Sequence, residues 1–402
     1  MILDWFDGFD QVPSGERSRV EEYIDRVNFA VLERRAIQWR ATAAEGERST
    51  VLHECSIDPS RFALGRCNIL FEVRFPDEFV CVARIWTNHF DILQDEDEAI
   101  TAFFQSEVET MQYISDKSNV PVPKVLDYDS NPRNPVNFRF ILMEGLPGKP
   151  LGVPYCHIPP ENRANFLDQL ADYLLQLGSL SFSSIGCLRY DRVVGSTEIV
   201  PLPGRASVYK SSLEFGHDIR RQQNQLLLED ETFPSTRADR ELATKILSQA
   251  VLIAFRTEFS AGPFPLSHPD LHYNNILVDE NYNITGIIDW SGVTTVPQEV
   301  FASVPGFRSP PGIPVEEVEP YRVCLEQFIR ALRKRESTLL CRGDWVVVSD
   351  FPGSDSAECL NKALEQGMPW RGIAYAKYLL PFVLGEGATW DALLGEDLNI
   401  ND

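Results

Sequence analysis

One strand in this sequence carries a charge that its neighbours cannot solvate. Phe79-Val-Cys-Val-Ala-Arg84-Ile-Trp86 is apolar at every position except Arg84. Downstream, the stretch from Glu98 to Ser115 sets Ile100, Phe103, Phe104, Val108, Met111 and Ile114 on one helical stripe, with Glu107 inside it. An unpaired buried charge costs roughly several kcal/mol. The simplest resolution packs strand against helix so that Arg84 meets Glu107. The pair alone is equally well read as a structural ion pair, or Arg84 as an arginine that snorkels to water.

The surroundings read as a strand-rich first part. Asn68 to Phe75 and Phe79 to Trp86 make a hairpin across Pro76-Asp77-Glu78. Lys124 to Tyr128 and Phe138 to Met143 read as further strands, and Glu144-Gly-Leu-Pro-Gly148 as a loop between lobes. Helices then dominate, at Asn162–Leu180, Arg240–Phe259, Tyr321–Arg335 and Gly372–Leu384, with a small hairpin at Ile276–Val278 and Ile284–Ile288. Residues 181–235, rich in Ser, Pro and Gln, read as irregular. The expectation is an α+β, bilobal chain. Residues 1–50 form a helical N-terminal extension, 51–145 a small lobe with an antiparallel sheet and one helix, and 146–402 a larger, mainly helical lobe.

The segment with the most chemistry is Leu266-Ser-His268-Pro-Asp270-Leu-His272-Tyr-Asn274-Asn275, followed by Ile287-Ile288-Asp289-Trp290. A lone Asp and Asn in a turn would be caps. Here a His precedes the Asp, and an apolar strand ending in Asp-Trp follows. Phosphoryl transfer to a hydroxyl needs a carboxylate to orient the alcohol and accept its proton, hard oxygen ligands for magnesium, and cations along the phosphates. Asp270 can be the base, and Asn275 with Asp289 can hold the metal. His268 braces the loop rather than reacts. Beside this loop, a cation fixed by a helix glutamate is a device for holding nucleotide phosphates. His268-x-Asp270-x-His272 also has metal-ligand spacing, which keeps a metal-hydrolase reading open.

These residues resemble the aminoglycoside phosphotransferase and choline kinase group, more so the former. Residues 268–275 match its His-Gly-Asp-Leu-His-x-x-Asn stretch except for Pro269, and Ile288-Asp-Trp290 matches the later motif. Leu142-Met-Glu-Gly-Leu-Pro-Gly148 is similar to the hinge, and Val120–Val125 and Ser106–Val108 follow family order, over roughly residues 60–300. The resemblance implies a protein-kinase-like fold, ATP and Mg2+ as cofactors, Asp270 as catalytic base, and Asn275 and Asp289 as metal ligands. It implies Glu107 as partner of the nucleotide-binding cation Arg84, hinge contacts to adenine from Met143, Glu144 and Gly145, and a phosphate loop at Ala63–Asn68 containing Gly65 and Asn68. Two features depart from the family: arginine stands at 84 where lysine is usual, and the phosphate loop has a single glycine.

The leading expectation is therefore a small-molecule kinase acting on an aminoglycoside, amino alcohol or natural product. The alternative is a pseudokinase or ligand-binding regulatory protein of the same fold. Asp289-Trp-Ser stands where a protein kinase has Asp-Phe-Gly, and no Ala-Pro-Glu occurs. A formal net charge of −22 disfavours nucleic acid as a partner and favours a cationic substrate. The acidic start, the absence of a run long enough to span a bilayer, and eight scattered cysteines predict a soluble, cytoplasmic protein without a membrane partner. The acceptor site is expected from residues 181–235 and the helices after 320. There Glu316, Glu317 and Glu319 read as a solvated stretch or as contacts to an amine, and 303–314 as a cover or a linker.

Overall fold

A computed structural model describes residues 6–43, 54–65, 67–87, 97–230, 235–303, 307, 315–340, 360, 362–364 and 370–397. In chain order its elements are α1 (Arg17–Arg26), α2 (Phe29–Ala43), β1 (Ser56–Leu64), β2 (Asn68–Arg74), β3 (Val80–Trp86), α3 (Asp97–Lys117), β4 (Val125–Asp129), β5 (Phe140–Glu144), β6 (Lys149–Pro150) and α4 (Pro160–Ser179). They continue with β7 (Ser181–Phe182), β8 (Cys187–Asp191), β9 (Ser196–Val200), α5 (Ser212–Glu229), α6 (Arg237–Ala254), β10 (Phe264–Ser267), β11 (Ile276–Val278), β12 (Ile284–Ile287) and β13 (Thr294–Thr295). The last are α7 (Gln298–Ala302), α8 (Val315–Leu340), α9 (Trp370–Leu384) and α10 (Trp390–Asp397). The class is α+β, as expected. The chain divides into two compact units. One comprises Met1–Gln176, Cys187–Glu198 and His268–Val293; the other comprises Leu177–Gly186, Ile199–Ser267 and Thr294–Asp402.

The first unit is built on an antiparallel sheet in the order β1-β2-β3-β5-β4. Both faces of its centre are covered, which explains why β3 is apolar at every position but Arg84. Side chains alternate across a strand. Cys81, Ala83 and Ile85 of β3, with Ile69, Phe71 and Val73 of β2, enter a core shared with Val20, Ile24, Leu32 and Ala36 of α1 and α2. The segment read as a helical extension thus supplies part of the sheet's core. Val82 and Arg84 face the opposite way, into a cavity. The stripe predicted on α3 is buried at Ile100, Phe104, Val108, Met111 and Ile114, while Phe103 is only partly buried. The helix also buries Ser106, whose Oγ donates to the carbonyl of Leu188 in β8 at 3.0 Å.

The short hairpin β11–β12 is paired Ile276↔Ile287 and Leu277↔Gly286, and β6 adds to its other edge through Leu277↔Pro150. Gly148 makes this addition possible. Its φ is +96°, and a Cβ there would lie 2.5 Å from the carbonyl oxygen of Val278 and 2.6 Å from Oγ1 of Thr285.

In the second unit, Ile185, Tyr209, Phe215, Ile219 and Phe264 form a core. The described residues of 181–235, shared between the two units, are not irregular: they hold β7, β8, β9 and the 18-residue helix α5. Ser211 caps α5 by accepting from the amide of Glu214. The helix escaped sequence reading because its polar run, Arg220-Arg-Gln-Gln-Asn-Gln225, interrupts the apolar period, although Arg220 itself is buried. The helix read as Arg240–Phe259 ends at Ala254, and a separate 3-10 turn follows at Thr257–Phe259. Most of 303–314, and the side chains of Glu316 and Glu317, lie outside the described residues. Glu319 pairs with Arg322 at 2.6 Å on an exposed helix face, as a solvated charge would.

Candidate active site

The strand and helix singled out at the start meet as the charges required. Arg84 Nη2 donates to Glu107 Oε2 at 2.5 Å, and the two residues are 5% and 2% exposed. Burial works against the charge on Arg84. The Glu107 carboxylate and its hydrogen bond, helped by Asp289, outweigh burial and hold the guanidinium above its ordinary range. Arg84 Nη1 lies 4.0 Å from Oδ1 of Asp289.

Asp270 sits in a loop that closes on itself. The amide of Asn275 donates to the carbonyl of His272 at 2.9 Å and that of His272 to the carbonyl of Asp270 at 2.9 Å. Asn275, 9% exposed, donates its side-chain Nδ2 to the carbonyl of Asp270 at 2.8 Å. Its donor end is thereby held, so its carbonyl oxygen is the end that can serve a cation. The Asp270 side chain is largely open, 61% exposed, with His272 Nε2 3.3 Å from Oδ2. That hydrogen bond from His272, against partial burial, and the positive charge His272 can carry hold Asp270 below the usual carboxylate value. The same hydrogen bond raises His272 above the usual imidazole value.

His268 braces the site, as its position in the motif suggested. Its Nε2 lies 3.0 Å from the carbonyl of Ile288, and its Nδ1 accepts from the amide of Asp270 at 3.2 Å. One buried ring thus ties the Asp270 loop to the segment carrying Asp289. Burial holds His268 below the ordinary imidazole value and keeps it neutral. Its edge meets Trp290 at 4.9 Å between centroids, and Trp290 Nε1 donates to the carbonyl of Ile287 at 2.7 Å. Asp289 adopts a left-handed backbone, φ +61°. A residue in that conformation is rare and turns the chain sharply.

Asp270, Asn275 and Asp289 line one cavity of about 390 Å³ with Arg84, Gly65 and Asn68. Met143, Glu144 and Leu146 line it too, with Leu277 and Ile288 adding apolar wall. Of the residues singled out from sequence, Glu107 stands behind Arg84 and Gly145 beside the wall. The amides of Glu144 and Gly145 are already engaged, donating to Lys124 and Val80 carbonyls at 2.9 and 3.1 Å. Of the phosphate loop expected over 63–68, Ala63 and Leu64 belong to β1 and Asn68 to β2, the Gly65 N–H donates to the Asn68 carbonyl at 2.8 Å, and Arg66 lies outside the described residues. Asn68 Oδ1 is buried with no hydrogen-bond partner, an acceptor that a ligand donor would satisfy. Sequence reading missed the contact of His272 with Asp270; its spacing of two residues was the available signal.

The metal-hydrolase reading does not survive this geometry. Both nitrogens of His268 are engaged, and His272 accepts from the amide of Asn274 at Nδ1 while Nε2 faces Asp270. Among the described residues no group of three or more His, Cys, Asp or Glu is arranged to hold a metal ion. The Asn275 carbonyl and the Asp289 carboxylate, which line the same cavity, are hard oxygen donors, the chemistry that magnesium prefers. Among the described residues no helix is long and apolar enough to cross a membrane.

Several known proteins are similar to this chain. Over 137 residues it is 32% identical to altered inheritance of mitochondria protein 9, a mitochondrial protein of Candida tropicalis, covering 32% of this chain and 22% of that one. Over 267 residues it is 26% identical to clavilactone A biosynthesis cluster protein Y of Ampulloclitocybe clavipes, covering 63% and 65%. The chain thus spans less than two thirds of either relative. The solved macrolide 2′-phosphotransferase of Brachybacterium faecium is 16% identical with a TM-score of 0.45, over 89% of this chain and 96% of that one. The sequence pattern of the phosphotransferase enzyme family (APH) matches residues 92–297, a little over half of the chain, and the chain belongs to that family.

Proposed function

We propose that this protein transfers the γ-phosphoryl group of ATP, with magnesium, to a hydroxyl of a small molecule. The observation that carries the reading is the convergence of Asp270, Asn275 and Asp289 on the cavity that Arg84 also lines. Bound ATP and magnesium would supply the phosphoryl group and neutralise its charge. Asp270, held ionised by its neighbours, would orient the acceptor hydroxyl and take its proton. The carbonyl oxygen of Asn275 and the carboxylate of Asp289 would hold the metal. Arg84, fixed in direction by Glu107, would face the phosphates, with Gly65 and Asn68 at the same end. Met143, Glu144 and Gly145 would border the base, whose flat faces suit the apolar wall of Leu146, Leu277 and Ile288. In this reading residues 51–145 serve the nucleotide and 146–402 the acceptor. A cationic acceptor is favoured by the charge of −22. Cys55, Cys81 and Cys187 are free thiols, in keeping with a reducing compartment, and we propose the cytoplasm.

One observation favours a second reading. Arg84 Nη1 stands 4.0 Å from Asp289, the group proposed for the metal, and an arginine there can take over its charge. A pseudokinase would follow. The deciding experiment measures ADP formation with magnesium over amino alcohols, aminoglycosides and hydroxylated natural products, in parallel with thermal shifts by ATP with and without magnesium. Turnover that Asp270→Ala removes supports the kinase. No shift in either condition moves the assignment to the pseudokinase.

A further inference from the structure

The second unit holds a separate open groove of about 1310 Å³ along α5 and the segment 205–210. The groove is unusual in this acidic chain because four cationic side chains, Arg205, Lys210, Arg220 and Arg221, line it against three carboxylates. Two of the cations are already answered: Arg205 and Arg221 both pair with Asp218, each at 2.6 Å. Arg220 is different. It is 4% exposed, and among the described residues its hydrogen-bond partners are two neutral oxygens, Asn224 Oδ1 at 2.8 Å and the carbonyl of Ala363 at 2.9 Å. No carboxylate pairs with it there. Burying a charge without a counter-charge is unfavourable, and native chains ordinarily pair such groups.

The two neutral bonds use Nε and Nη1, which fixes the guanidinium plane. Nη2 takes no part in either bond. Lys210 and His217 are exposed members of the same wall and add positive charge or donors at the rim. Asn224 is held in turn by donating Nδ2 to Ser248 Oγ at 2.9 Å, so the partner that orients Arg220 is itself oriented. A prepositioned, partly desolvated guanidinium with a lysine nearby is the arrangement that recognises planar or tetrahedral oxyanions. Burial lowers the pKa of Arg220 to about 10, which still leaves it charged at neutral pH.

We propose that this groove is a binding site for a small molecule bearing a carboxylate or phosphate group, whose oxyanion is the missing counter-charge of Arg220. The site is independent of the Asp270 cavity and of the activity proposed for it.

The test is isothermal titration of the full chain with inorganic phosphate and, separately, with citrate, ionic strength being matched with chloride. Saturable binding of at least one probe is expected, with affinity falling at least about tenfold in Arg220→Gln, the loss of one charge-assisted contact. Arg220 also bridges to Ala363, so the variant can lose structure. The exposed Lys210→Ala does not carry that risk, and it is expected to weaken the same probe several-fold with an unchanged far-ultraviolet spectrum. Phosphate without citrate assigns a phosphorylated ligand, and citrate without phosphate a carboxylated one. Binding that persists in Arg220→Gln and Lys210→Ala but disappears in Arg84→Met belongs to the other cavity and overturns the assignment. Absence of saturable binding by both probes also overturns it.

Discussion

Asn275 donates its side-chain amide to the main-chain carbonyl of Asp270 at 2.8 Å and lies only 3.4 Å from the carboxylate of the same residue. The shorter of the two contacts goes to the backbone of Asp270, whose side chain stays largely exposed. That contact and the proposed chemistry are carried by different atoms of one residue. The separation makes the proposed base removable without losing the backbone contact.

Asp270→Ala should consequently leave folding and ATP affinity close to wild type while transfer falls by about 10²- to 10⁴-fold, the usual contribution of a positioned base. Single-turnover assays beside an ATP titration check both halves. Equal turnover in the variant would refute the assignment of the base.

The Arg84–Glu107 pair should behave in the opposite way, because both partners are buried. Glu107→Leu leaves a buried guanidinium without its partner and should cost about 3–5 kcal/mol in urea unfolding. The double variant Arg84→Met with Glu107→Leu should recover much of that loss, since an apolar pair suits the site, yet it should bind ATP no better than the single variant. Recovery of stability together with nucleotide binding would show the pair to be structural only.

The hinge offers a purely steric prediction. At Gly148 a Cβ would collide with the Val278 carbonyl, in a left-handed backbone conformation. Gly148→Ala should destabilise by roughly 2–4 kcal/mol. It should also loosen the β6–β11 pairing that steadies the chain after Glu144, raising the KM for ATP. Chemical denaturation and steady-state kinetics read the two effects.

What the sequence disclosed follows from where free energy is concentrated. Arg84 in an apolar strand and Glu107 in an apolar stripe could not both be buried apart, so their contact was legible before any coordinates. The loop 268–275 was legible because its residue types serve little else in that order. The helix α5 was not legible, because its buried face includes Arg220 and Gly216, which no apolar period reveals. The reach of β1 was likewise hidden: Ala63 and Leu64 continue a strand that Pro59 interrupts in sequence, and its register shifts between Ile57 and Phe62. The contact of His272 with Asp270 depends on loop closure by Asn275, a long-range consequence that spacing alone does not encode.

That contact carries the remaining prediction, a pH dependence whose sign can be worked out. His272 binds its proton more tightly in the folded chain, through its hydrogen bond with Asp270. Its stabilising contribution is therefore complete below the ordinary imidazole value of about 6.5 and is lost as pH rises through the higher folded value. His268 runs the other way: burial lowers its folded value, so its contribution is present above about 6.5 and is lost as pH falls. The two oppose each other in the wild type, and only a difference between variants separates them. The melting-temperature gap between wild type and His272→Gln should be full below about pH 6.5 and shrink as pH rises above it. Asp270 is held low first by the same hydrogen bond, so its ionisation is lost only on acidification below the ordinary carboxylate range. In His272→Gln the acid limb of kcat/KM should move upward toward that range. A flat melting-temperature gap with an unmoved acid limb would mean that the two side chains do not share a proton-linked interaction in solution.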